Sequence, residues 1–310
     1  MKSFRIIGFI LIFMLLLTGC SSSHARTSNQ TVKSKDEILK EMKNDIVNGK
    51  TIEKEKSVEE EFVDGELDTL EMRIQPPEGF TRIGVQEGSF AKFLRNLPLK
   101  SEGSTVHYYD GREKPAEGVY AAVVDLDVGD RDLQQCADAI MRLRSEYLWQ
   151  KGEHESISFN LTNGFKVPYS DWKAGHRVIF EGNETSWILA TDPSDDYQTF
   201  RDYLDFIFTY AGTLSLSREL NSKNFKDMQI GDILIQGGSP GHAVIVADMV
   251  ENRETKEKRY LLIQSYMPAQ DMQVLLNPKD QNGGVWYSLN ETTEIQTPEW
   301  MFSVEDLKSF

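Results

Sequence analysis

The pattern of apolar and polar positions changes character twice along the chain. Ile6 to Leu17 is an apolar run interrupted only by Gly8 and preceded by Lys2 and Arg5. It is shorter than the about 20 residues that span a bilayer. From Ser21 to about Asp68 the chain mixes charges with Ser, Thr and Asn, and no aromatic residue stands before Phe62. Such a segment cannot bury enough apolar surface to fold alone, although Ile38, Leu39, Met42 and Ile46 recur at helical spacing within residues 36–47. From about Leu70 to Phe310, apolar runs, aromatics and turn residues alternate. This predicts a folded body over residues 69–310, behind a leader at 1–19 and a tether at 20–68.

Within the body, Pro76-Pro77-Glu78-Gly79 reads as a turn. Residues 89–97 predict a short helix with Phe90, Phe93, Leu94 and Leu97 on one face. Residues 106–109 and 119–125 predict strands around an Asp110-Gly111 turn. Residues 132–149 carry the strongest helical pattern. Asp132 stands as N-cap with Gln135 three residues on, and Leu133, Cys136, Ala137, Ile140, Leu143 and Tyr147 share a face. Weaker strands are predicted at 157–161 and 177–180, then an aromatic-rich helix at 197–216 with Ser194 as its cap. Residues 232–235, 243–247 and 260–264 alternate or are wholly apolar, which predicts an antiparallel meander. The order predicts an α+β domain with helices packed on an antiparallel sheet.

Composition narrows the function. Hydrophobic residues make up 39% and aromatics 10% of the chain, a globular composition. The net charge of −15 argues against a nucleic-acid partner, which needs clustered Lys and Arg. The basic start and apolar run match a secretory signal, and Leu17-Thr18-Gly19-Cys20 resembles a bacterial lipobox. That resemblance implies cleavage before Cys20, lipidation of its sulfur, and an extracytoplasmic protein anchored to a bacterial membrane. It also leaves Cys136 as an unpaired thiol in an exported chain.

Cys136 fits two roles. It falls in or near the first turn of the 132–149 helix, where free amide hydrogens and the positive end of the dipole favour a thiolate nucleophile. It also lies on the apolar face, as a buried core thiol would. His242 follows Gly237-Gly238-Ser239-Pro240-Gly241 and opens an apolar strand, so it suits a base held at a strand mouth, or a simple turn histidine. Gln264 ends the next apolar run. If the strands are antiparallel neighbours, its amide oxygen can orient the imidazole, or it is an ordinary strand-end amide. His24, His107, His154 and His176 lie in the tether, a strand start or loops.

No cofactor or metal is expected. Asp125, Asp127, Asp130 and Asp132 invite a calcium reading, but an EF-hand register fails at its glycine and its closing glutamate. No His/Cys spacing suits zinc. No phosphate-cradling glycine motif precedes a helix, and no serine nucleophile elbow is present. Trp172, Trp187, Trp286 and Trp300 fit core positions better than sugar-stacking ones.

The order Cys136, Gly231-Asp232, Gly241-His242, Gln264 resembles the NlpC-type papain-like cysteine peptidases over residues 130–270. The chain departs from them at Gln134-Gln135-Cys136-Ala137-Asp138, where an Asp-Cys-Ser-Gly type motif is common. Leu133 to Ala139 with Arg142 to Arg144, Pro240 to Val246, and Gln264 to Asp271 look like the bacterial family catalogued as domain of unknown function 4846. That likeness spans most of residues 70–310 and implies an exported protein of no stated activity. The peptidase resemblance implies a lipid-anchored hydrolase or acyltransferase acting on an amide bond through Cys136, His242 and Gln264, with peptidoglycan stem peptides as a candidate substrate. The alternative is an inactive ligand-binding or scaffold envelope lipoprotein of the same fold.

Overall fold

The computed structural model describes residues 68–115, 117–290 and 293–310. The leader, Cys20 and the tether up to residue 67 lie outside the described residues. Among the described residues no helix is long and apolar enough to cross a membrane.

The chain begins with α1 (Leu70–Arg73), β1 (Phe80–Arg82) and α2 (Phe90–Arg95). Ser89 starts α2 by accepting the Lys92 N–H on its hydroxyl at 3.2 Å, which satisfies a helix-end donor. Strand β2 (Tyr120–Val123) leads to the long helix α3 (Cys136–Gln150). Next come β3 (Ser158–Asn160), β4 (Lys166–Pro168), α4 (Tyr169–Lys173), β5 (His176–Glu181) and β6 (Glu184–Leu189). Helices α5 (Tyr197–Tyr210) and α6 (Thr213–Glu219) follow. The remainder is mostly strand: β7 (Asn221–Ser222), β8 (Ile233–Gln236), β9 (His242–Asn252), β10 (Lys258–Gln264), β11 (Gln273–Leu275) and β12 (Tyr287–Ser288). Strands β13 (Glu294–Gln296), β14 (Met301–Ser303) and β15 (Leu307–Ser309) end it.

Strands β2, β11, β10, β9, β8, β15 and β7 lie side by side in that order, with β1 on β9 and β12 on β10. Every one of these pairings is antiparallel. The fold is a mixed α+β arrangement dominated by this sheet. Its centre explains the apolar run at 243–247. Residues His242 to Val250 are all buried. Ala243, Ile245 and Ala247 join an apolar cluster with Ala137, Ile140 and Met141 of α3. Val244, Val246 and Met249 join another with Phe302 and Leu307. A strand covered on both faces has no polar side to present, and each fully buried Val or Ile contributes about 1.5–3 kcal/mol.

Several expected elements are corrected. Residues 106–109 make only isolated bridges, His107 to Glu113 and Tyr108 to Gln270. The chain reverses at Gly111, whose φ is 81°, before a ladder can extend. The 132–149 helix starts at Cys136 with Gln135 as its N-cap. Asp132 is engaged elsewhere: its Oδ1 accepts the Ala269 N–H at 2.7 Å and the Gln135 side-chain amide at 2.9 Å. The 197–216 helix is two helices. Gly212 is extended, and Ser215 Oγ accepts its N–H at 3.0 Å, which starts α6 afresh. Asp196 rather than Ser194 caps α5, accepting the Thr199 N–H at 2.7 Å. The short elements β4 and α4 carry too few residues for periodicity to register, and β6 is mostly exposed, with no buried face to write an apolar alternation.

Candidate functional site

Helix α3 delivers Cys136 as its first residue, with Gln135 in extended backbone just before it. The Gln135 N–H donates to Asp138 Oδ2 at 3.1 Å, closing one half of a capping box. The helix is pinned by Arg142, which is fully buried. Its guanidinium donates to Glu146 at 2.6 Å, Gln134 Oε1 at 3.1 Å and Asp127 at 3.3 Å. Beyond the helix start, Ser265 Oγ donates to the Gln134 carbonyl at 3.2 Å. Together with the Asp132–Ala269 bond, this ties the Cys136 end of α3 to the chain just after β10.

His242 is the first residue of β9 and pairs with Gln236 of β8. The loop before it is tightly built. A Cβ on Gly241 would lie 2.5 Å from Thr213 Oγ1 and 2.6 Å from the Gly238 carbonyl, so only glycine fits. The imidazole is 2% exposed, and its Nε2 lies 2.8 Å from Gln264 Oε1. An amide oxygen only accepts, so Nε2 carries the proton and Nδ1 keeps a lone pair. Tyr266, Trp300 and Phe302 surround the ring at 4.6, 5.3 and 5.8 Å between centroids.

The sequence-chosen residues thus meet in one place. Cys136 and His242 line the same cavity of about 410 Å³, which Asp138, Tyr266, Met267 and Trp300 also border. The site is electrostatically quiet. Burial, and then the Asp138 charge, push the Cys136 thiol up to about 11, against the opposing pull of backbone N–H groups at Ala243, Ala137 and Cys136 itself. Burial takes His242 down to about 4; the Gln264 bond raises it and the Lys114 charge lowers it further. The helix end was expected to favour a thiolate. In the folded protein desolvation outweighs it, and the resting pair is a neutral thiol beside a neutral imidazole. Cys136 is 8% exposed, as a core thiol would be, and it also lines the cavity.

Sequence reasoning missed Glu299, Lys114, Asp138 and Tyr266. Gln264 Nε2 donates to Glu299 Oε2 at 2.6 Å, and Lys114 Nζ lies 2.7 Å from Glu299 Oε1. Asp138 is buried, its carboxyl is raised well above the usual range by burial, and its Oδ1 has no partner. Only the Pro298-Glu299-Trp300 turn was visible as a local signal. Asp232 of the Gly231-Asp232 pair stands apart from this cluster, accepting the Gln229 N–H and the Lys223 ammonium, each at 2.7 Å.

The remaining candidates have structural partners. His107 lies 3.7 Å from Asp271, His154 stacks on Trp149, and His176 Nδ1 meets the Asp171 carbonyl at 3.3 Å. Asp127 pairs with Arg142 and Arg201. Trp172 and Trp286 are buried, Trp187 packs against Phe165, and Trp300 borders the cavity. His24 and Cys20 lie outside the described residues.

A family model described as domain of unknown function (4846) matches residues 70–309. No curated protein and no solved structure matches the chain.

Proposed function

We propose that this chain, which belongs to the family described as domain of unknown function (4846), is a cysteine hydrolase or acyltransferase that opens an amide bond at Cys136. The observation that carries the reading is the 2.8 Å His242–Gln264 bond at the cavity that Cys136 lines. It leaves Nδ1 as the only basic nitrogen of the ring, which is what a thiol-activating base requires. A cysteine opening a helix, a histidine opening an antiparallel strand and a glutamine on the adjacent strand also support an NlpC-type, papain-like arrangement.

The chemistry follows from the neutral pair. Among the described residues no hydrogen bond joins Cys136 to His242, so the thiol must close on Nδ1 when substrate fills the cavity, as catalytic bonds often tighten on binding. The Sγ–H proton passes to Nδ1 as sulfur adds to the amide carbonyl carbon. Backbone N–H groups at the start of α3, which in the resting protein act on the Cys136 sulfur, meet the developing oxyanion. The imidazolium returns the proton to the leaving nitrogen, the C–N bond breaks, and a thioester remains on Cys136. Water, or an acceptor amine, attacks the thioester carbonyl and yields its proton to Nδ1. Cys136 leaves as thiolate and takes that proton back.

Location supports the substrate class. The lipobox-like Cys20 favours export and anchoring to a bacterial membrane, where peptidoglycan stem peptides are the abundant amide-linked polymer. Muropeptide digestion followed by mass spectrometry tests this. Wild type should release products that Cys136→Ala and His242→Ala do not, and equal release by Cys136→Ala refutes the proposal. The high thiol pKa and low imidazole pKa favour a second reading, a ligand-binding lipoprotein that has no chemistry. In that case muropeptide fragments would bind wild type and Cys136→Ala equally and emerge uncleaved.

A further inference from the structure

We infer that Glu299, held by Lys114, sets the imidazole tautomer of His242 through the Gln264 amide. The catalytic consequence rests on the Cys136–His242–Gln264 reading above; the structural part does not.

A glutamine is ambiguous on its own. Its amide presents an acceptor at one end and a donor at the other, and rotation exchanges them. Presented with the NH2 end, Nε2 of His242 would have to accept, and the ring proton would move to Nδ1. The base would then be lost. Gln264 is 2% exposed, so water does not decide its orientation. Glu299 does. Its Oε2 lies 2.6 Å from Gln264 Nε2, and a carboxylate only accepts. The NH2 must therefore face Glu299, which leaves Oε1 toward the ring at 2.8 Å. Lys114, 7% exposed, sits 2.7 Å from the other carboxylate oxygen and holds the Glu299 side chain in place.

The turn that carries Glu299 is itself fixed. Thr297 Oγ1 accepts the Trp300 N–H at 3.1 Å, the Thr297 N–H donates to the Trp300 carbonyl at 2.9 Å, and Trp300 Nε1 donates to Gln236 Oε1 at 3.0 Å. One turn thus sends Glu299 to the amide and Trp300 to the ring. Glu299 is a positioning residue. Its side chain does not line the cavity, although its carbonyl accepts the Tyr266 hydroxyl at 3.4 Å, and it acts by deciding which end of Gln264 the histidine meets.

Long-range nitrogen–proton NMR of the imidazole reports the tautomer directly and needs no substrate. The full chain should show His242 as the Nε2–H form near pH 7. Glu299→Gln keeps the shape but can turn a donor toward Gln264, so a Nδ1–H population should appear. Glu299→Asp should retain the Nε2–H form. The double variant Gln264→Glu with Glu299→Gln should restore it, because a carboxylate at 264 accepts from Nε2 and the amide at 299 supplies the donor. Glu299→Gln should also lower muropeptide turnover by about tenfold or more, the weight of one hydrogen bond to a charged group. A folded Glu299→Gln protein that keeps a pure Nε2–H signature overturns the inference, as does a double variant that fails to restore it. A tautomer that responds as stated, in a wild type that hydrolyses nothing, leaves the inference standing and sinks the proposed activity.

Discussion

Replacing Asp138 with asparagine should make Cys136 more reactive. The thiol stands at about 11 against an ordinary 9.0, for two causes that differ in kind. Burial is the larger and is untouched by the change. The negative charge of Asp138 is the next, and asparagine removes it. The capping contact survives, because an amide oxygen can accept the Gln135 N–H as Oδ2 does at 3.1 Å. The amide nitrogen would take the place of Oδ1, which has no partner now. At pH 8 a thiol at about 11 is roughly 0.1% thiolate, and one at 9.0 is roughly 10% thiolate. Removing both causes would therefore speed alkylation about a hundredfold, and removing the Asp138 charge alone should deliver the smaller part of that gain. The assay is iodoacetamide labelling of Cys136 at pH 8, followed by mass spectrometry in a Cys20→Ser background. Thermal unfolding of both proteins shows whether the fold is unchanged. An alkylation rate that stays flat or falls in a stably folded Asp138→Asn protein refutes the electrostatic reasoning.

Other expectations come from the same geometry. Arg142→Ala leaves Glu146, 5% exposed, facing a vacated guanidinium site; the loss of an ion-pair partner in such a setting costs about 3–5 kcal/mol and should lower the urea midpoint. Unaltered stability would show that the Tyr197 hydroxyl, at 2.7 Å from Glu146, suffices. Gly241→Ala places a methyl against Thr213 Oγ1 and should cost about 1–3 kcal/mol in a melting experiment while displacing the His242 ring. His242 is neutral in the folded protein down to about 4, against 6.5 when free. The unfolded chain therefore binds the extra proton first, and the stability contributed above pH 6.5 drains away as pH falls toward 4. That loss amounts to about 3 kcal/mol, and stability curves for His242→Gln against pH should lack it; identical curves would refute the assignment.

The sequence was readable where its signals act locally. The shared apolar face of Phe90, Phe93, Leu94 and Leu97 announced α2, the apolar runs announced β8, β9 and β10, and their antiparallel order put Gln264 beside His242 as the meander predicted. It was unreadable where a side chain is claimed from far away. Asp132 looks like a helix cap until Ala269, distant in the chain, takes its carboxylate. The aromatic run at 197–216 keeps helical periodicity across Gly212, so the one local sign of the break, the glycine itself, was outweighed by the pattern on either side. Glu299 and Lys114 sit in turns with no periodic pattern around them, and their meaning arises only where three distant segments converge on one amide.

By itself, the sequence determined the mixed α+β character with antiparallel strands, the cysteine at a helix start and the histidine at a strand mouth; that the sheet rather than the helices dominates was decided by the fold. Capping and alternation act over a turn or two of chain, so those features are written locally. Tertiary structure alone decided the protonation of the pair and the partners around it. Desolvation is a sum over every neighbour that excludes water from Cys136 and His242, and those neighbours come from α3, β9, the Gly241 loop and the Trp300 turn. The backbone N–H groups of the helix end pull the thiol toward thiolate, and burial, the stronger influence, pushes it the other way.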